Sequence, residues 1–154
     1  AVQFARLRGA QVFATASGED GVALVRRLGA DEAVDGRHED VVAAARRFAA
    51  DGFDALLALA GGKEMELCLD TVRRGGRVAY PNGVEPEPSK QPGVKILSYD
   101  AVPGVREFER LSRAVEEANL QVPIAAEYPL SRAAKAHERV AQGHVLGKIV
   151  LRIR

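Results

Sequence analysis

The sequence has almost no net charge. Its 22 basic and 21 acidic residues leave a formal +1, which gives no electrostatic case for a nucleic-acid partner or an acidic membrane. There is one cysteine, Cys68, which excludes an internal disulfide and fits a reducing compartment. No apolar run nears the roughly 20 residues needed to cross a bilayer. The N-terminus lacks the basic, apolar and small-residue succession of a secretory signal, so the cytoplasm is the expected compartment. His38, His137 and His144 show no i,i+4 or Cys/His spacing, and no metal site is expected. His137, among alanines, reads as a packing residue.

What is there is an ordinary globular composition of 154 residues, 47% hydrophobic and 28% charged. The chain opens abruptly, on "AVQFARLRGAQVFATAS": a helix with no cap or strand before it, a Gly9 stop, and a strand over 11–16. Strand-like and helix-like stretches then alternate. "GVALVRRLGA" has Val22, Val25 and Leu28 at helical spacing and Gly29 as its stop. "DEAVD", "FDALLALAGG" and "RVAYPNG" read as strands. "HEDVVAAARRFAADG" reads as a helix, and so does "KEMELCLDTVRRGG", closed by Gly75 and Gly76. "VEPEPSKQPG" is a proline-rich loop. After the strand "VKILSYDAV", the stretch "VREFERLSRAVEEANL" is a helix with Val105, Phe108, Leu111, Ala114 and Val115 on one face. "AAEYPL" is extended, a helix starts at Ser131, and "GKIVLRI" is a closing strand.

Strands separated by helices in this rhythm predict an α/β fold with a doubly wound, mostly parallel sheet in three layers. Ligands of such sheets sit beyond the carboxyl ends of the strands. The stretches to inspect are therefore Ser17, Asp35–Arg37, Ala60–Gly62 and Pro81–Gly83.

The sequence resembles the coenzyme domain of the medium-chain dehydrogenase/reductase superfamily, in its zinc-free quinone oxidoreductase branch. The opening stretch, "LGADEAVD", "GFDALLALAGG", "RRGGRVAYPNG" and "EYPLSRAAKAHERVAQGHVLGKIVLRI" carry the resemblance. It implies a Rossmann-type dinucleotide-binding domain over 1–147, with a terminal strand at 148–154 returning to a catalytic domain. It also implies binding of NADP(H), less often NAD(H), and hydride exchange with a quinone or an activated double bond. An enoyl-thioester reductase would use the same coenzyme half. A nucleotide-binding or dimerisation module without catalysis is the non-enzyme alternative. Homodimers are expected through the edge strand Lys95–Val102. The glycine-rich turn and first strand that precede Ala1 in relatives are missing here. The strands flanking that first strand are therefore expected to have unpaired edges.

The resemblance also distributes roles. Ser17, in place of an acidic residue, permits a 2′-phosphate, though Ser17 also reads as a helix cap. Glu19 and Asp20 weigh against that phosphate, and Arg37 is the positive charge that favours it; as a plain exposed arginine, Arg37 needs no ligand. Ala60 and Gly61 let a cofactor pass over a strand end, or simply make a tight turn. Asn82 and Gly83 correspond to the turn beside the nicotinamide ribose, and Pro-Asn-Gly is equally strong turn chemistry. Tyr99 and Asp100 correspond to backbone near the nicotinamide amide, or to a dimer edge. Lys148 corresponds to a phosphate contact, or to a surface lysine. No catalytic residue is expected in this chain, because relatives hold the small-molecule substrate mainly with the other domain. The chain alone is expected not to turn over.

Overall fold

A computed structural model describes every residue from Ala1 to Arg154. In chain order the elements are α1 (Val2–Leu7), β1 (Phe13–Ala16), α2 (Gly18–Arg27), β2 (Glu32–Asp35), α3 (Val41–Phe48), β3 (Phe53–Leu57) and α4 (Lys63–Leu69). Then come β4 (Val72–Pro81), β5 (Lys95–Tyr99), α5 (Val105–Glu117), β6 (Ile124–Pro129), a 3-10 turn at Leu130–Arg132, α6 (Ala133–Ala141) and β7 (Lys148–Arg152). Every strand pair is parallel. The chain is thus α/β, of the Rossmann type. It divides into two compact units, residues 1–37 with 111–154, and residues 38–110.

In the first unit, β1 pairs with β2 from Phe13↔Glu32 to Ala16↔Asp35. β1 begins at Phe13, not Gln11, because the Asp31 carboxylate takes the Val12 N–H at 2.7 Å. The same carboxylate accepts the Arg6 guanidinium at 3.0 Å on each oxygen, which ties α1 to the start of β2. No strand of the chain lies on the other edge of β1, and the chain's opening segment is helical. β6 pairs with β7 from Ile124↔Lys148 to Pro129↔Arg152. Ser131 lies in the 3-10 turn, and α6 starts only at Ala133. His137 is exposed, and its neighbour Ala136 is the packed residue.

In the second unit the strand order is β3-β4-β5, leaving β3 with a strand on one side only. The core joins Leu69, Val72 and Val78, with Leu56, Met65, Val94 and Ile96 packed around them. Ala58, Tyr80 and Val84 form an adjoining cluster toward the carboxyl ends. The helix expected over 63–76 stops at Leu69. The Thr71 hydroxyl donates to the Cys68 carbonyl at 2.6 Å, and β-branched Thr71 and Val72 then favour extended chain. Gly75 and Gly76 lie inside β4, in a bulge where β4 runs from Val72 to Arg77 while β3 advances from Phe53 to Ala55. A Cβ at Gly76 would stand 2.6 Å from Val72 and 2.8 Å from the Arg73 carbonyl, so only glycine fits the bulge. α5 forms as expected, but the first part of its apolar face is bare: Val105, Phe108 and Leu111 are 77%, 66% and 51% exposed, while Ala114 and Val115 are partly buried.

Candidate functional site

The carboxyl end of β3-β4-β5 gathers five of the expected residues, Ala60, Gly61, Asn82, Gly83 and Tyr99. Parallel pairing brings this about, with Leu57↔Ala79, Ala79↔Leu97 and Pro81↔Tyr99 in register. Ala60 and Gly61 follow β3 in the turn before α4. A Cβ at Gly61 would stand 2.5 Å from the Glu85 carbonyl oxygen and 2.6 Å from that of Pro86. The chain's own backbone therefore requires the small residue. The segment pressing on Gly61 is held to α4 by two carboxylates one helical turn apart. Glu66 accepts both the backbone N–H and the hydroxyl of Ser89, and Asp70 accepts the Gln91 amide at 2.8 Å.

Asn82 leaves β4 with its backbone N–H on the Tyr99 carbonyl at 3.0 Å. Its side-chain Nδ2 donates to Asp100 Oδ2 at 2.6 Å. Gly83 has φ +90 and nothing within 4 Å of where a Cβ would stand. Tyr99 is 44% exposed. This strand end is thus open and lined by backbone, one amide and one carboxylate.

Ser17 and Arg37 lie in the first unit, at the carboxyl ends of β1 and β2. The Gly36 N–H donates to the Ala16 carbonyl at 2.9 Å. Buried Asp35 accepts the Arg37 N–H at 3.0 Å, leaving the Arg37 side chain exposed. Ser17 is the N-cap of α2 by position, but its hydroxyl makes no capping bond. Asp20 does more there: Oδ1 accepts the Gly21 N–H at 2.8 Å, and Oδ2 meets His144 Nε2 at 2.8 Å. The hydrogen bond with His144 is the main reason that the Asp20 carboxyl sits below its ordinary value of 3.8. Arg139 holds the His144 loop through the carbonyls of Gly143 and His144. Lys148 is exposed at the opening of β7, where its N–H donates to the Pro123 carbonyl at 2.8 Å. It starts a strand, unlike the other expected residues, which end a strand or follow one.

Sequence reading missed the pairing of Asp100 with Asn82 and of Asp20 with His144. The first was within reach, since both residues follow neighbouring parallel strands. The second joins positions 124 apart and left no local signal. No three His, Cys, Asp or Glu side chains gather to hold a metal ion. Half-burial of Cys68 pushes its thiol above the ordinary value, away from nucleophilic use. No helix is long and apolar enough to cross a membrane.

Comparison with known proteins bears on this geometry. The sequence model of a family described as zinc-binding dehydrogenase matches residues 28–151. Quinone oxidoreductase of Mus musculus is 26% identical, over 97% of this chain and 49% of the mouse protein. The crystal structure of an NAD-dependent alcohol dehydrogenase superposes with TM-score 0.82 at 31% identity, over 99% of this chain and 47% of that one. Quinone oxidoreductase from Coxiella burnetii gives TM-score 0.83 at 27% identity, over 99% and 48%. The chain spans about half the length of the curated relatives it matches.

Proposed function

This chain belongs to the zinc-binding dehydrogenase family, within the medium-chain dehydrogenase/reductase superfamily, and from that premise we propose that it serves as the coenzyme-binding part of an oxidoreductase. The reaction is hydride transfer between a nicotinamide cofactor, NADP(H) ahead of NAD(H), and a quinone or α,β-unsaturated carbonyl. One observation carries the reading: Ala60, Gly61, Asn82, Gly83 and Tyr99 converge at the carboxyl end of one parallel sheet, where ligands of such sheets bind. The bound cofactor supplies the hydride chemistry. The protein's part is to hold and orient it, with the open Gly83 turn admitting close backbone approach and Asn82 offering a hydrogen bond. Ser17 and Arg37 are the groups proposed for a 2′-phosphate, because Ser17 brings no negative charge and the Arg37 guanidinium is free to turn toward solvent. Lys148 is proposed as a further phosphate contact.

A homodimer through Lys95–Val102 belongs to the same proposal. β5 is an edge strand, and Leu97, Tyr99 and Val102 are 43%, 44% and 69% exposed. Turnover is not expected from the 154 residues alone.

NADPH and NADH titrations followed by NMR test the reading. Saturable shifts at Asn82, Gly83 and Ala60, larger at equal concentration for NADPH, are expected. The absence of any shift with either cofactor, both in this chain and in a protein that also carries the first strand and its glycine-rich turn, overturns it. Equal affinity for the two removes the role given to Ser17 and Arg37.

A further inference from the structure

Asn82 and Asp100 stand side by side because β4 and β5 are paired in register up to Pro81↔Tyr99. An ionised carboxylate can only accept hydrogen bonds. The 2.6 Å contact between Asn82 Nδ2 and Asp100 Oδ2 therefore forces the Asn82 amino group toward Asp100 and turns Oδ1 the other way. The pair is exposed, and a charge-assisted bond, roughly twice as strong as a neutral one, favours this orientation over the flipped amide. The Asn82 backbone is fixed as well, through its N–H on Tyr99. The adjoining space is free, since nothing lies within 4 Å of the Cβ position of Gly83. With Nδ2 taken by Asp100, what the pair has left to offer a ligand is Asn82 Oδ1 and the remaining lone pairs of a carboxylate, acceptors only.

Resting on the nicotinamide-cofactor reading, we infer that Asp100 is a positioning residue that fixes Asn82 as an acceptor, so that this strand end takes an uncharged hydrogen-bond donor of the ligand, a sugar diol or carboxamide, and turns away phosphate. A dinucleotide carries such donors in both halves, with its bridging phosphates between them. The binding polarity is thus written into a side chain that touches another side chain and need not touch the ligand.

The test compares the wild-type chain with Asp100→Asn and Asp100→Ala, using NADH, AMP and inorganic phosphate as probes. Melting temperature is recorded throughout. Asp100→Asn still offers Asn82 a hydrogen-bond acceptor, so a merely structural tie survives it. The fixed orientation does not survive, because an amide both donates and accepts. The melting temperature of Asp100→Asn should match wild type while its Kd for NADH rises roughly tenfold, about the worth of one oriented hydrogen bond. Phosphate should leave the Gly83 amide signal unmoved in wild type and shift it in Asp100→Ala. If AMP binding is unchanged in Asp100→Asn, the donor comes from the nicotinamide riboside half; if it weakens equally, the donor comes from the adenosine half. Unchanged NADH affinity in both variants overturns the inference, as does a phosphate shift at Gly83 in wild type. Failure to bind NADH even when the first strand and its glycine-rich turn are supplied overturns instead the cofactor reading beneath it.

Discussion

A methyl group on Gly61 would stand 2.5 Å from the Glu85 carbonyl oxygen, whereas one on Gly83 would meet nothing within 4 Å. The two glycines end neighbouring strands but answer different demands, close approach of backbone at one and φ +90 at the other. Gly61→Ala must displace a backbone segment and should cost about 1–3 kcal/mol through overpacking. Gly83→Ala should cost about 1 kcal/mol through backbone strain alone. Urea denaturation of both variants checks the contrast, and a Gly61→Ala variant as stable as wild type would refute the packing account. At Asp20 the prediction concerns acid. Its carboxyl is held below 3.8, chiefly by the hydrogen bond with His144. A lowered folded value adds stability above 3.8 that fades as pH falls through the lowered value. His144→Ala removes that addition, so the gap in thermal stability between wild type and variant should narrow on acidification. A gap that acid leaves unchanged would show that the pair does not act this way. Sequence order could place Ser17, Ala60, Gly61, Asn82 and Gly83 at strand ends, because those ends follow from periodicity. It could not reveal that Gly61 faces Glu85 and Pro86, or that His144 reaches Asp20, because these contacts depend on how loops fold back.

At the scale of elements, α4 and α5 make opposite uses of similar sequence. Leu69 ends α4 at 1% exposure, and Leu69→Ala should destabilise the chain by about 2–5 kcal/mol, read from urea unfolding. Phe108 on α5 is 66% exposed, and Phe108→Ser should stay within about 0.5 kcal/mol of wild type in the same assay. A large loss there would mean that the face is covered in solution. Periodicity made α5 legible as a helix with one apolar face, since spacing alone decides which residues share a side. Spacing does not say what that side meets, and here Val105, Phe108 and Leu111 meet solvent. The opposite limit shows at "KEMELCLDTVRRGG". The pair of glycines looks like a helix stop, yet the helix ends before Thr71, and the glycines serve a strand bulge that exists only because β3 lies alongside. Strands β2 and β5 and the second half of β4, from Arg77, were readable because short β-branched or apolar runs stood between turn residues.

For the whole molecule, self-association through β5 is the proposal open to direct measurement. Leu97→Glu puts charge on an exposed position of that edge strand and should shift sedimentation toward the monomer while leaving the far-ultraviolet circular dichroism intact; unchanged sedimentation of a wild-type dimer would place the contact elsewhere. The pairing of the strands has a further result, in time rather than space. All four strand pairs are parallel, and parallel neighbours cannot be joined by a tight hairpin. Each pair must wait for its crossover segment, whose closure costs entropy before any ladder bond repays it. The wait is of similar length for each pair: Phe13 pairs with Glu32, Leu57 with Ala79 and Pro129 with Arg152. On a translating ribosome, the first strand of each pair stays without a mate until its partner strand has also left the exit tunnel. Nascent-chain surveillance by chaperones would therefore find the same kind of opening at every strand pair of this protein, since none is closed by a local hairpin.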